Sequence, residues 1–328
     1  MRIPFHLSAD WFACWSAGFG PVITAETLAL RETHERIGLF KIPSLRSATN
    51  PHSARYDAPP GTALPRDLPA RLFAGRAIGS IRIDYLPENA ALLSAARGWS
   101  ANFRVRIAPH ALTPVVDCRQ SYDTWFAARS KRIRQRLRGH GKQVFDALGM
   151  TVEFRSGDPT QSDLFERILD VEQSGWKGRG GTAIRDNADE LRFYTALVQR
   201  AAAASALKVA LLWHGDTLAA FEFGVIGEGR LFLLKVGYDE RYADLSVGYL
   251  LAAEHIRHCC EQPAIHWYDK MGNGMHPAEY KLRFADHCDT LYRATIYAPG
   301  LRGALLHGRD VARARAKAWR DRRREAAA

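Results

Sequence analysis

Ser246 and Gly248 are the residues whose types and spacing carry the clearest chemistry, because they are placed to begin a helix. A serine side chain can cap a helix, and a glycine lets a ligand approach the first turn closely. The unpaired N–H groups and the dipole of a helix N-terminus attract anions, so this turn suits a pyrophosphate. The alternative is an ordinary Ser-capped helix, since the Ser-x-Gly motif is short and common.

The elements that must position this turn are three strands before it, and one helix and one strand after it. Apolar and β-branched runs joined by Gly-containing turns predict an antiparallel meander. Its strands lie at 208–213, 218–226 and 231–238. Apolar residues at helical spacing then predict a helix over 246–260, followed by a strand at 265–269.

The segment 238–251, Tyr-Asp-Glu-Arg-Tyr-Ala-Asp-Leu-Ser-Val-Gly-Tyr-Leu-Leu, resembles the acyl-CoA-binding turn of the GNAT acyltransferase superfamily. It is most similar to the CelD-type branch (cellulose-biosynthesis acetyltransferase-like proteins), which is related to Fem-type peptidyltransferases. That branch also carries a Gly-Trp-Lys-Gly segment upstream and a Tyr-Lys pair downstream, present here at 175–178 and 280–281. Three positions depart from the patterns of the branch and of the superfamily: Val247 replaces a proline, Ser246 replaces a glycine, and Ala243 replaces the usual arginine or glutamine.

The resemblance implies an α/β fold with an α+β mixed sheet, built as a tandem GNAT-like acyl-CoA N-acyltransferase whose N-terminal unit is degenerate. We expect the degenerate unit at 1–120, the acyltransferase domain at 121–300 and a basic C-terminal helix or tail at 301–328. Within the N-terminal unit, the runs 22–30 and 37–42 flank a polar segment and predict a hairpin.

The resemblance also implies which residues form the site. The residues expected to bind the acyl-CoA co-substrate are Tyr238, Leu245, Ser246, Val247 and Gly248. The residues expected to be catalytic are Asp239, Asp269, Tyr280 and Lys281. The residues expected to bind the acceptor are Trp176, Lys177, Glu222 and Arg132.

In the GNAT scheme a carboxylate or an ordered water takes the acceptor's proton, and no covalent intermediate forms. Asp239, Glu222 and Asp269 are the candidate bases; Asp239 can equally be a turn carboxylate, and Glu222 would be inert on an exposed sheet face. Tyr280 resembles the tyrosine that protonates the leaving thiolate. Lys281 resembles a lysine that lies near the donor or a substrate phosphate in Fem-type enzymes.

A basic helix lies near the start of this domain, with six arginines and lysines between residues 129 and 138. Arg129 and Arg132, or Arg132 and Arg136, lie within one helical turn and can jointly hold a phosphate or carboxylate. The alternative is a solvated helix face.

Composition limits the partners. The formal net charge is +11, and the segment 302–325 holds nine basic and three acidic residues, so more than half of the excess lies in the tail. The remaining +5 does not require a polyanionic partner. The tail is expected to be a packed or frayed terminal helix, and a weak membrane-surface contact is the alternative. The N-terminus has no signal-like apolar core, and no apolar run approaches the length of a membrane span. Five cysteines without a C-x-x-C spacing favour a reducing, cytoplasmic location, and no metal is expected.

The leading hypothesis is an acetyltransferase that uses acetyl-CoA or another acyl-CoA and a small-molecule or sugar-amine acceptor, in exopolysaccharide or cell-envelope metabolism. The last phrase rests on the family resemblance alone. A second hypothesis is a Fem-like transferase that uses aminoacyl-tRNA; under the first, no specific nucleic acid is expected. A third is a catalytically inactive GNAT-fold binding subunit, which Ala243 favours.

Overall fold

The computed structural model describes residues 3–157, 163–175, 180–181 and 183–325, and the chain divides into two compact units. Unit 1 consists of Met1–Pro21, Asn50–Ala54 and Ala111–Thr290. Unit 2 consists of Val22–Thr49, Arg55–His110 and Leu291–Ala328. Both units combine segments that are separate in the sequence, so they do not correspond one to one to the contiguous domains predicted with boundaries at residues 120 and 300. Those boundaries stay a prediction.

The described residues form ten α-helices and eleven β-strands. The α-helices are α1 Ala9–Phe19, α2 Leu68–Phe73, α3 Ala91–Trp99, α4 Tyr122–Ala127, α5 Lys131–Gly141, α6 Leu164–Ser174, α7 Ala188–Ala203, α8 Val247–Glu261, α9 Glu279–Leu282 and α10 Leu301–Glu325. The strands are β1 Ile23–Ala25, β2 Leu28–Ile37, β3 Phe40–Ser47, β4 Ser80–Pro87, β5 Arg104–Asp117, β6 Thr151–Arg155, β7 Leu207–His214, β8 Thr217–Gly227, β9 Arg230–Tyr238, β10 Trp267–Asp269 and β11 His287–Tyr297.

In unit 1 the predicted meander is confirmed. Strands β6, β7, β8 and β9 pair antiparallel in sequence order. The chain then passes through α8 to β10, which pairs parallel with β9 and antiparallel with the end of β5. Helix α8 packs on β7 and β8 and buries its apolar face there.

Unit 2 repeats this order on a smaller scale. Strands β1, β2 and β3 pair antiparallel, and β4 then pairs parallel with β3 and antiparallel with β11. In both units, the last strand of a meander therefore has a parallel neighbour that follows a connection containing a helix. The repeated order and the mixed sheets confirm the predicted tandem GNAT-like α/β fold.

The parallel pair of unit 2 is closed by the unit's own polar groups. Its ladder ends at Arg46 and Arg82, and the Asp84 N–H then donates to Ser47 Oγ at 3.0 Å. The Asp84 carboxylate, fully buried, accepts from Arg46 and Arg293. This end of the parallel pair is therefore occupied by a buried ion-pair network, and the degeneracy of the unit stays a prediction.

The predicted hairpin in this unit is wrong in its register. One turn lies at Glu26 and Thr27, both with positive φ, so the run 22–30 contains all of β1 and only the start of β2. The polar segment 31–36, expected to be the turn, lies within β2. No Gly or Asn marks the turn at Glu26, so the sequence lacked the usual signal for a left-handed backbone.

The charge of the chain divides sharply between the units. Unit 2 contains 22 basic and 10 acidic residues, a net charge of +12. Unit 1 contains 24 basic and 25 acidic residues, a net charge of −1. Outside the tail, the excess is therefore concentrated in unit 2 and is not spread evenly over the chain.

Candidate active site

The candidate site lies where β9 and β10 separate. The two strands pair in parallel over only three residues each, ending at Phe232 and Asp269. The next residue, Lys270, donates its backbone N–H to Pro114 O at 2.9 Å, so the chain turns toward β5 while β9 continues to Tyr238. The strands thereby leave a gap that contains a cavity of about 270 Å³, which we call the strand-gap cavity.

Residues from β8, β9, α6, α8 and α9 surround this cavity. Among the described residues its lining is Val171, Glu172, Gly175, Phe221, Glu222, Val236, Gly237, Tyr238, Gly248, Tyr249, Ala252, Lys270, Tyr280 and Phe284. Successive residues of a strand point to opposite faces of a sheet. Because both Phe221 and Glu222 line the cavity, it is open to groups on both faces. Two reactants can therefore meet in the gap from opposite sides.

Gly237 keeps this passage open. A Cβ at this position would lie 2.6 Å from Cε1 of the Phe221 ring, which is closer than packed atoms approach. A side chain at Gly237 would thus displace an aromatic wall of the cavity.

The turn at the start of α8 faces the same cavity, but Ser246 does not cap the helix as predicted. Ser246 has a left-handed backbone (φ 54°, ψ 34°), and its side chain accepts no capping hydrogen bond. Its carbonyl accepts from Tyr249 N–H at 2.9 Å. The N–H groups of Val247 and Gly248 have no acceptor among the described residues. Backbone N–H groups, not the serine hydroxyl, are therefore what this turn offers to an anion.

Of the other residues expected to bind the donor, one lines the cavity and two lie in or against the hydrophobic core. Tyr238 lines the cavity, and its ring lies 3.3 Å from the position of a Cβ on Gly248. Val247 is fully buried in the core of unit 1, and Leu245 packs against that core. Leu245 and Val247 therefore hold the turn in place.

Basic groups from α5 and the α9 region lie beside the turn. The Arg136 guanidinium lies 5.3 Å from the Tyr249 ring centroid, and Arg283 donates to the Tyr249 hydroxyl at 3.2 Å. Arg132 is exposed. The pKa of Glu279 is lowered mainly by its hydrogen bond from Arg283, and the charge of Arg132 makes a smaller contribution. Arg129 does not belong to this group, because it is buried and donates to the carbonyls of 284 and 285 and to the Asp286 carboxylate.

Glu222 is the predicted site carboxylate that the structure brings to the cavity. It is 4% exposed, and its Oε2 accepts from His255 Nδ1 at 2.9 Å and from the Tyr268 hydroxyl at 2.5 Å. Burial opposes its ionisation, but the His255 hydrogen bond and the charge of Lys270 outweigh burial and hold the pKa of Glu222 below its ordinary value. Glu222 is therefore an ionised carboxylate inside a largely apolar cavity.

The structure places the other two candidate bases outside the cavity lining. The Asp239 carboxylate accepts from Arg241 Nε and Nη2 at 2.9 and 2.6 Å, and this pairing with Arg241 lowers its pKa. Asp269 is buried and accepts from Thr113, from Arg230 at 3.1 Å and from Met271 N–H at 2.9 Å. Both carboxylates are engaged in local ion pairs.

Of the predicted pair Tyr280 and Lys281, only Tyr280 belongs to the described cavity lining. Tyr280 lines the cavity; the residue is 41% exposed, yet desolvation of its phenol raises the pKa of Tyr280 to about 12. Lys281 Nζ donates to Met271 O at 2.9 Å. Tyr280 is thus the member of the pair that contacts the cavity.

The expected acceptor residues Trp176 and Lys177 lie outside the described residues. Their neighbour Gly175 and the preceding helix residue Glu172 line the cavity. The Glu172 carboxylate is buried, lies 3.3 Å from Lys235 Nζ and accepts from Ile184 N–H at 2.8 Å. The end of α6 therefore brings a second carboxylate to the cavity.

Sequence reasoning missed Glu172 and Lys270. Lys270 is 5% exposed and lines the cavity. A signal for it existed: Tyr268 and Lys270 alternate with Asp269, so a buried Tyr268 that faces α8 predicts that Lys270 lies on the same side. Of the residues at this strand end, only the acidic Asp269 was predicted to belong to the site.

An antiparallel meander, a helix whose first N–H groups have no acceptor among the described residues, and a parallel strand that separates from the meander together define the GNAT class of fold. Consistent with this, residues 131–282 match the family described as acetyltransferase (GNAT) domain. The comparison with curated proteins found no match. The CelD-type branch stays a prediction.

Solved structures with this fold extend over most of the chain. A conserved protein of unknown function from Bacteroides thetaiotaomicron is 11% identical with a TM-score of 0.59, covering 90% of this chain and 92% of that one. The C-terminal domain of a putative lysylphosphatidylglycerol synthetase from Agrobacterium fabrum is 16% identical with a TM-score of 0.56, covering 93% and 91%. FemX is 9% identical with a TM-score of 0.52, covering 86% of each chain. These likenesses concern the fold.

Two further findings bear on partners. Within the described residues, no helix combines the length and apolarity needed to cross a bilayer. The same residues contain no group of three or more His, Cys, Asp or Glu side chains arranged to hold a metal ion.

Proposed function

We propose that this protein is an acyl-CoA-dependent N-acyltransferase that transfers an acetyl or other acyl group to an amine. The observation that carries the proposal is the strand-gap cavity, which adjoins the N-terminal turn of α8. The N–H groups of Val247 and Gly248 are directed to hold the donor's pyrophosphate, and Gly248 leaves room for it. The thioester then extends along β9 into the gap.

The acceptor enters the gap from the side of α6. Glu172 and Glu222 are the acidic groups in the described lining, and a carboxylate in an apolar cavity favours a cationic partner. An amine is therefore the preferred acceptor over a hydroxyl. A sugar amine of exopolysaccharide or cell-envelope metabolism is the candidate that the CelD-type resemblance supplies.

Tyr280 supplies the proton for the leaving thiolate. Its pKa near 12 keeps the phenol protonated at neutral pH, so the proton is present when the carbon–sulfur bond breaks. Asp239 and Lys281 support the turn and the 271 loop by their hydrogen bonds.

Donor binding is the first test. We expect acetyl-CoA to bind in calorimetry and to raise the melting temperature, because a ligand at a hundredfold excess over Kd stabilises a protein by about 2.7 kcal/mol. Gly248→Trp should abolish both effects, since an indole would fill the space beside Tyr238. Thiol release from acetyl-CoA in the presence of primary amines, including glucosamine, then tests transfer.

A second candidate is a Fem-like transferase that uses aminoacyl-tRNA, and the net charge of +12 on unit 2 favours it. Stabilisation by tRNA with no effect of acetyl-CoA would support this candidate. An absence of binding to either ligand would support a non-catalytic binding subunit.

A further inference from the structure

Lys270 is a buried basic residue with an unusual lack of partners. Its amine lies 5.1 Å from the ring centroid of Tyr268 and 5.0 Å from that of Phe284. Its backbone N–H donates to Pro114 O, but its Nζ makes no hydrogen bond or ion pair with any described residue. A buried lysine amine that has only ring contacts is costly to keep charged, so its presence in the cavity calls for a role toward a ligand.

The groups around this amine come from every element that borders the cavity. Glu222 of β8 is the neighbouring carboxylate; its Oε2 is occupied by His255 and Tyr268, while its Oε1 makes no hydrogen bond with a described residue. The remaining titratable groups of the described lining are the phenols of β9, α8 and α9 and one carboxylate of α6: Tyr238, Tyr249, Tyr280 and Glu172. Burial lowers the pKa of Lys270, and Glu222 opposes this change only in part.

We propose that Lys270 is the catalytic base of the acyl transfer: it takes a proton from the acceptor nitrogen while Glu222 Oε1 holds that nitrogen in the cavity. This inference rests on the proposed function. It assigns the base to a residue other than the carboxylates Asp239 and Asp269, which are held in ion pairs outside the cavity lining.

The charges explain why the proton moves. An acceptor ammonium beside Glu222 would add a second cation next to Lys270 in a low-dielectric cavity. Two neighbouring positive charges repel strongly there, so one of the two groups is favoured to lose its proton. In the free cavity the charge of Lys270 helps to keep Glu222 ionised. When the acceptor ammonium binds, it replaces that charge beside Glu222, Lys270 gives its proton to solvent, and Glu222 and the ammonium form one compensated pair. The Lys270 lone pair is then available for the acceptor's proton.

The proposed step balances as follows. The acceptor ammonium gives one proton to Lys270 Nζ, and the freed nitrogen lone pair forms a bond to the acyl carbon. The carbon–sulfur bond breaks with its electron pair on sulfur, and the Tyr280 hydroxyl protonates that thiolate. The new amide nitrogen then gives its second proton to the Tyr280 phenolate, which restores the phenol, and Lys270 releases its proton to solvent when the next acceptor ammonium binds.

Three variants test this role: Lys270→Met, Lys270→Arg and the control Lys208→Met. Lys208 is a partly buried lysine whose amine donates to Ser156 Oγ at 3.0 Å outside the strand-gap cavity. We expect Lys270→Met to lower kcat for acetyl transfer to the best primary amine about 100-fold or more. The KM for acetyl-CoA should change less than about threefold, because Lys270 does not contact the turn that holds the donor.

Lys270→Arg separates a base from a fixed positive charge. Arginine keeps the charge but stays protonated at all accessible pH values, so it should be as inactive as the methionine variant. The ionisation that raises wild-type kcat/KM with pH should be absent from both variants. Near-wild-type activity of Lys270→Arg or of Lys270→Met would overturn the proposal.

A measurement without turnover gives an independent readout. The ¹³Cε resonance of Lys270 in lysine-labelled protein, assigned by its loss in Lys270→Arg, should titrate below the pH of an ordinary lysine. Titration of Lys270 at the pH of an ordinary lysine, about 10.4, would overturn its role as a base. Failure of the wild-type protein to bind acetyl-CoA in calorimetry would instead refute the donor site, and with it both proposals. A wild-type enzyme whose Lys270 variants stay active would refute the base alone.

Discussion

Gly248→Ala is the substitution that most sharply tests the donor site, because it should move stability and affinity in opposite directions. A Cβ at Gly248 would lie 3.3 Å from Tyr238 Cδ1 and 3.9 Å from Cγ, so a small shift of the ring accommodates it. Alanine is favoured over glycine within helices by up to about 1 kcal/mol. The protein should therefore be as stable as the wild type or slightly more stable.

Affinity for acetyl-CoA should fall in the same variant. The added methyl group stands where the donor approaches the N–H groups of Val247 and Gly248. Hydrogen bonds to a charged group contribute about 1.5–3 kcal/mol, so loss of one such bond weakens binding by roughly 10- to 150-fold. Calorimetric titration with acetyl-CoA measures this effect, and urea unfolding measures stability.

Gly139→Ala is the matched control. Gly139 lies on the exposed face of α5, and a Cβ there has no neighbour within 4 Å. It should gain stability similarly and bind acetyl-CoA as the wild type does. If Gly248→Ala binds acetyl-CoA within twofold of the wild type, the turn does not hold the donor's phosphates, and the reasoning is wrong.

Three further predictions concern other parts of the chain. Burial opposes ionisation of Glu190, yet His52 and Lys235 lower its pKa from 4.5 to about 2, so its stabilising contribution is present above pH 4.5 and lost as the pH falls toward 2; urea unfolding of wild type and Glu190→Gln across this range should converge at the acid end. Asp84→Asn removes a fully buried charge held by two arginines and should lower the free energy of unfolding by about 3–5 kcal/mol, measured in urea; a change below about 1 kcal/mol would contradict the buried ion pair. Tyr280→Phe should lower kcat about 100-fold and change stability by less than about 0.5 kcal/mol, since the residue is 41% exposed; unchanged kcat would exclude the phenol as the proton donor.

Much of the fold could be predicted because its signals are local. The meander, the helix after it and the C-terminal helix at 301–325 follow from apolar periodicity and Gly-containing turns. Ser246 shows the limit of such signals. A capping serine and a left-handed serine have the same sequence neighbourhood, and only the observed φ of 54° separates them.

The candidate site was less predictable because it depends on contacts between distant segments. The sequence leaves open whether Glu222 lies on an exposed sheet face or in a cleft. The structure shows it buried in the cavity lining and hydrogen-bonded to His255 of α8. Asp269 appeared well placed at a strand end, but Thr113 and Arg230 bind it. Neither partner is recognisable from residues adjacent to Asp269.

The unequal division of charge between the two units has a consequence for how salt acts on this protein. The isoelectric point of 9.6 describes neither part well, because unit 1, which contains the strand-gap cavity, is close to electroneutral. Ionic strength should therefore strongly weaken attachment of a polyanion to unit 2, whereas affinity for a small thioester in unit 1 should depend on salt mainly through its own phosphates. The slope of log affinity against log salt concentration therefore indicates which unit binds a newly found ligand: a steep slope indicates unit 2, and a shallow slope indicates unit 1.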